Sequence, residues 1–173
     1  RPSKRFCFCR SGCVRSAYNG PVMTLAVSRK RLVLIAQDDE DVYEMTREAV
    51  RSCGVGAETV RVNDGAELLV YLLRKAPFSK AVRPDLVLLD LGMPLHGGLW
   101  ALEKIRSHGP LRSLPVVIWS RSASPEDVRK AYQLGANAFV ERPLGPDALE
   151  RAVSETLRFF FITARPVPTS RIR

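Results

Sequence analysis

Short apolar runs that stop on a polar residue alternate along this chain with stretches whose apolar positions recur at helical spacing. Residues 32–36 run into Gln37-Asp38-Asp39, and residues 86–89 end on Asp90, with Gly92 and Pro94 just beyond. Residues 115–119 stop at Ser120, and residues 138–141 stop at Arg142-Pro143. A strand apolar on both faces belongs inside a parallel sheet covered by helices. Residues 58–62 alternate apolar and polar, as a fifth strand would. Between the strands, residues 39–52 carry Val42, Met45, Ala49 and Val50 at helical spacing, with acids in the first turn and Gly54 as a stop. Residues 66–73, 97–107, 125–134 and 146–161 supply four more helices, the last two opening on Pro125 and Pro146, as first-turn prolines do. Residues 76–83 read as an irregular loop.

Alternation of this length predicts an α/β fold: a doubly wound, five-stranded parallel sheet with helices on both faces. The flavodoxin-like strand order 2-1-3-4-5 is the natural candidate, and it makes the first and third strands neighbours. Asp38 then lies beside Asp90 at the topological switch point, where ligands collect. Ser120 and Arg142 end their strands at the same edge. Carboxylates there can hold a divalent metal, and a hydroxyl with a guanidinium can bind a phosphoryl group.

The motifs Gln37-Asp38-Asp39-Glu40-Asp41, Asn63-Asp64-Gly65-Ala66, the segment from Pro84 to Pro94, Leu114 to Ser120 and Leu134 to Pro143 stand in the order and spacing of a known family. Over residues 31–161 the chain resembles a CheY-like response regulator receiver domain, and more narrowly the stand-alone regulators paired with phytochrome-type histidine kinases. The resemblance implies a phosphorelay protein: Asp90 as phosphoacceptor, Ser120 and Arg142 as its partners, Mg²⁺ as cofactor, and Phe139 as the switch aromatic of the fifth strand together with Ser120. It also implies a cis peptide bond before Pro143.

The chemistry follows from the residue types. Two neighbouring carboxylates repel unless a cation lies between them. Mg²⁺ prefers oxygen and keeps several waters, so Asp38, Asp90 and the backbone carbonyl of Gly92 suffice. Asp90 is then a carboxylate nucleophile, with the Ser120 hydroxyl and the Arg142 fork on the transferred group. Two positions depart from the family. Gln37 stands where an acid is usual, which removes one charge from the metal site. Arg142 stands where a Lys is usual, and the two cations differ at a phosphate. Asp39 either joins this pocket or charges the first helical turn.

Charge does not change the picture. Of 27 basic residues, eight lie in residues 1–31 and three in residues 162–173, with no acid in either; the 16 that remain face all 18 acids, a balance of −2. The basic character therefore belongs to the ends, and nothing between them has a nucleic-acid-binding layout. No apolar stretch approaches the length of a membrane span and the N-terminus lacks a signal-peptide pattern, so a cytoplasmic protein is expected. Residues 1–30 read as a basic, disordered extension in which Met23 offers an alternative start, and residues 162–173 as a basic tail. Cys7, Cys9 and Cys13 lack the partners of a zinc site, and Cys53 reads as a half-buried helix-end residue. His96 and His108 read as solvated loop residues, and Asp64, Asp85 and Asp147 as caps or turns.

The last helix closes on Leu157-Arg158-Phe159-Phe160-Phe161-Ile162, more apolar than a solvated end requires. A homodimer through this helix and its neighbours is expected, the alternative being that the aromatics fold back on their own chain. The functional expectation is a non-enzymatic regulator that accepts a phosphoryl group from a histidine kinase and signals through protein contacts. The competing expectations are a degenerate receiver serving as a docking module, favoured by Gln37 and Arg142, and a phosphohydrolase, disfavoured because Gly92 offers no second acid.

Overall fold

The computed structural model describes residues 30–164. The expectations for Cys7, Cys9, Cys13, Met23 and nearly all of the two basic ends lie outside the described residues. The elements run β1 (Arg31–Ala36), α1 (Glu40–Ser52), β2 (Ala57–Val62), α2 (Gly65–Leu72), β3 (Leu86–Leu89), α3 (Gly98–Ser107), a 3₁₀ turn (Gly109–Leu111), β4 (Val116–Ser120), α4 (Pro125–Gln133), β5 (Ala138–Glu141), α5 (Pro146–Arg158) and a π-helical turn (Phe159–Thr163).

The five strands form one sheet in the order β2-β1-β3-β4-β5, every pair parallel. Because successive side chains of a strand point to opposite faces, the apolar runs feed two cores at once. Leu34, Val87, Leu89, Val116 and Ile118 pack with Leu68, Leu102 and Ile105 on the α2–α3 side. Val33, Ile35, Leu86, Leu88 and Val117 pack with Ala49, Val50, Val153 and Leu157 on the α1–α5 side. All four residues of β3 are buried, and each large aliphatic side chain so placed contributes about 1.5–3 kcal/mol.

Local chemistry sets the boundaries. Asp39, Asp64 and Ser124 cap α1, α2 and α4 by accepting backbone N–H groups with their side chains. Pro125 and Pro146 occupy first-turn positions. Gly54 follows α1 with φ +71°, a conformation that an L side chain resists.

Three details differ from the sequence reading. Met45 is 41% exposed and Thr46 is buried instead, its hydroxyl donating to the Val42 carbonyl across 2.8 Å. The buried stripe of α1 passes through Thr46, Ala49 and Val50, which leaves Met45 on its flank. The last helix leaves α-geometry at Arg158 and closes in the π turn, whose wider i→i+5 bonding, as from the Ala164 amide to the Phe159 carbonyl, re-aims the aromatic run. Phe161 therefore folds back and is buried, under the Arg31 guanidinium at 5.3 Å, while Phe159 and Ile162 face outward. The cis peptide bond is Ala76–Pro77; Arg142–Pro143 is trans, the ordinary state even for X–Pro.

Candidate acceptor site

All strands being parallel, the carboxyl ends of β1, β3, β4 and β5 open on one edge of the sheet. Ala36 pairs with Leu89, and the Asp90 amide donates to the Ala36 carbonyl across 3.1 Å, so the next residue on each strand meets its counterpart. These are Gln37 and Asp90. The Gln37 amide Nε2 donates to Asp90 Oδ2 at 2.7 Å in a buried contact. The other end of the amide is used as well: Gln37 Oε1 accepts the Asp39 amide at 3.1 Å, which fixes which end of the side chain faces Asp90. Asp90 Oδ1 accepts the Gly92 amide at 3.2 Å, and only 7% of the residue reaches solvent.

The position of Asp90 is set from behind by glycine. A side chain at Gly98, the first residue of α3, would collide with the Asp90 carbonyl, so α3 seats against the end of β3 only without one. The β3–α3 loop is tied across to α2 by the Gly65 amide, which donates to the His96 carbonyl at 3.0 Å.

Ser120 and Arg142 are joined through the backbone, the Arg142 amide donating to the Ser120 carbonyl at 2.8 Å. Ser120 is buried and, with Gly92, Trp100 and Ser122, lines a cavity of about 360 Å³. Arg142 is half-buried, and its Nε is buried with no hydrogen-bond partner. A buried, charged N–H without an acceptor is costly unless an anion supplies one. Phe139 packs against the α2–α3 core, and its outward amide donates to the Tyr132 hydroxyl of α4 at 3.2 Å.

The sequence places Asp38 beside Asp90, but the register puts Gln37 there, and Asp38 stands exposed one residue further on. Asp39 is withdrawn from the pocket: its Oδ1 caps α1 by accepting the Asp41 and Val42 amides at 3.0 and 3.2 Å. Asp64 is likewise spent as a cap, and Asp85 accepts the Leu32 amide at 2.9 Å beside the start of β3. His96 and His108 are exposed, His96 resting on Trp100 with ring centroids 4.2 Å apart. The half-buried Cys53 thiol faces the Val50 carbonyl at 3.0 Å.

Sequence reading missed Arg61. From β2 it donates to the carbonyls of Gln37 and Asp38 at 2.9 and 2.7 Å, pairs with Glu40 and lies over the Tyr43 ring at 5.5 Å. Strand alternation alone marks it as a surface residue, because its partners are carbonyls that sequence does not advertise.

The donor set fits a hard divalent cation. Among the described residues no group of three or more His, Cys, Asp or Glu is gathered as a metal cage, so carboxylate oxygens at this edge would hold such an ion only together with carbonyl and water oxygens. The unpartnered Arg142 Nε and the Ser120 hydroxyl fit an oxyanion beside it. No helix among the described residues is long and apolar enough to cross a membrane.

Comparison with known proteins gives the same picture. The family model for the response regulator receiver domain matches residues 33–154. Response regulator Rcp1 of Synechocystis sp. is 25% identical over 112 residues, 65% of this chain and 76% of that protein. The phosphorylated cyanobacterial phytochrome response regulator RcpA superposes with a TM-score of 0.76 at 30% identity, covering 79% of this chain and 98% of that one. Response regulator RPA3017, in red light signaling of R. palustris, gives 0.76 at 28% identity, covering 80% and 99%. With its five parallel strands, its buried Asp90 at the end of β3 and this match over most of its length, the chain belongs to the response regulator receiver domain family and is related to phytochrome response regulators.

Proposed function

We propose that the protein is a phytochrome-associated response regulator whose Asp90 accepts a phosphoryl group from a sensor histidine kinase, a bacteriophytochrome in the first instance. Receiver domains act with such kinases. A carboxylate oxygen of Asp90 forms the bond to phosphorus as the bond from phosphorus to the kinase imidazole breaks, and the electron pair leaves on that ring nitrogen. Asp38, Asp90 and the Gly92 carbonyl would hold Mg²⁺, which would neutralise charge on the transferring oxygens. Ser120 donates its hydroxyl to the arriving group, and Arg142 brings the guanidinium whose Nε lacks an acceptor. Drawing Ser120 and Arg142 toward β3 shifts the ends of β4 and β5, and Phe139 moves with them. The response then passes to a protein partner through α4, β5 and α5, with two copies paired through α5, and with no nucleic acid involved.

The observation that carries this reading is a nearly buried carboxylate, Asp90, at the sheet edge where Arg142 follows β5 with a buried Nε that has no hydrogen-bond partner. Incubation with Mg²⁺ and a small phosphodonor, followed by intact-mass measurement, tests it. The expected result is the mass gain of one phosphoryl group in the wild type and none in Asp90→Asn. An unmodified wild type would return the protein to a phosphate-independent docking role.

A further inference from the structure

We propose that Arg61 is a positioning residue of the acceptor site: its guanidinium takes the place of a missing strand and holds the β1–α1 loop so that Gln37 stays on Asp90 and the backbone of Asp38 is fixed at the same edge. The proposal rests on the acceptor reading above and adds a residue to it.

The need for such a residue follows from the sheet. β1 is paired to β2 as far as Ala36 opposite Val62, and the Gln37 amide still donates to the Val62 carbonyl at 2.9 Å. After Val62 the chain turns through Asn63 and Asp64 into α2, so no further β2 amide faces the carbonyls of Gln37 and Asp38. Both carbonyls belong to the residues that carry the site. An unpaired, part-buried carbonyl here would leave the loop free to rotate about its own backbone.

Arg61 closes the gap. It sits opposite Ile35 in the ladder, and its side chain, 16% exposed, runs up beside β1 to the open edge. Nε donates to Gln37 O at 2.9 Å and one terminal nitrogen to Asp38 O at 2.7 Å, while the other terminal nitrogen pairs with Glu40 in the first turn of α1. The planar fork thus fixes three of four consecutive residues in one rigid group, and the Tyr43 ring supports it from the side. Held this way, Gln37 keeps its amide on Asp90 Oδ2, and the Asp38 backbone cannot swing its carboxylate away from the edge.

A positioning role and a charge effect predict opposite results. Removing a cation near a metal site tightens cation binding if charge dominates; losing the clamp weakens it if geometry dominates. Mn²⁺ binding, read from the free-ion electron paramagnetic resonance signal, is to be measured for wild type, Arg61→Ala and Arg61→Lys. The expected result is a loss of affinity of about tenfold in both variants, since Lys keeps the charge and loses the fork. The side-chain amide resonance of Gln37, shifted in the wild type by its bond to Asp90, is expected to move toward a free amide in both variants without metal. Global folding, followed by circular dichroism, separates this from unfolding. Unchanged or tighter Mn²⁺ binding in Arg61→Ala, or wild-type binding in Arg61→Lys, overturns the proposal. If the wild type itself takes up no Mn²⁺, the acceptor reading fails, and the Gln37 resonance alone decides whether Arg61 sets the loop.

Discussion

Gln37 donates its side-chain amide to the carboxylate of Asp90 across 2.7 Å, so the residue standing where the family usually has an acid is a direct partner of the proposed acceptor. The amide satisfies an oxygen that a second carboxylate would repel. It thereby stabilises the acceptor without a cation and removes part of the attraction for one.

Gln37→Glu reverses both effects. The variant is expected to bind Mg²⁺ about tenfold more tightly, through the added charge, and to melt lower than wild type in chelator. Calorimetric titration and thermal unfolding with and without Mg²⁺ check the two halves. Equal Mg²⁺ affinity in both proteins contradicts the role given to the amide.

Gly98→Ala forces a methyl group against the Asp90 carbonyl. Backbone cannot yield as a side-chain tip does, so a loss of about 1–3 kcal/mol in urea unfolding is expected, together with slower phosphorylation because Asp90 moves. A neutral result would mean that α3 is not seated against β3 as described.

Arg142→Ala removes the guanidinium whose buried Nε lacks a partner at the end of β5. Phosphorylation by a small donor is expected to fall by about a hundredfold, while stability without donor is kept or improved, because a buried donor without an acceptor contributes nothing to the fold. Time-resolved mass measurement and chemical unfolding give the two numbers. Lower stability with undiminished phosphorylation would assign Arg142 to the fold alone.

Phe159 and Ile162 are 54% and 61% exposed beside the buried Phe161. Phe159→Ser with Ile162→Ser is expected to dissociate the proposed dimer in sedimentation velocity while leaving the melting temperature nearly unchanged. Phe161→Ser, by contrast, empties a core position and is expected to cost about 3 kcal/mol.

The sheet order, the two-sided core and the strand ends bearing Asp90, Ser120 and Arg142 were legible because apolar run length and strand alternation are properties of sequence. Sequence alone allows Asp39 a cap role or a pocket role, since a carboxylate ahead of a helix serves either and only the loop's path decides. The Gln37 contact and the Arg61 clamp were hidden for a common reason. Each depends on where two strands end relative to one another, a register that pattern does not encode. Met45 and Thr46 show the same limit on a helix, where one residue of phase separates the face that packs from the face that does not.

Tyr132 stands at the sheet's open flank, its hydroxyl taking the amide hydrogen that Phe139 turns away from the ladder. β5 is the terminal strand on that side, and such flanks invite foreign strands to zip on. A phenol parked on the docking rail denies an incoming backbone its first purchase. A strand arriving at this border would first have to displace that phenol, which discourages sheet extension along β5.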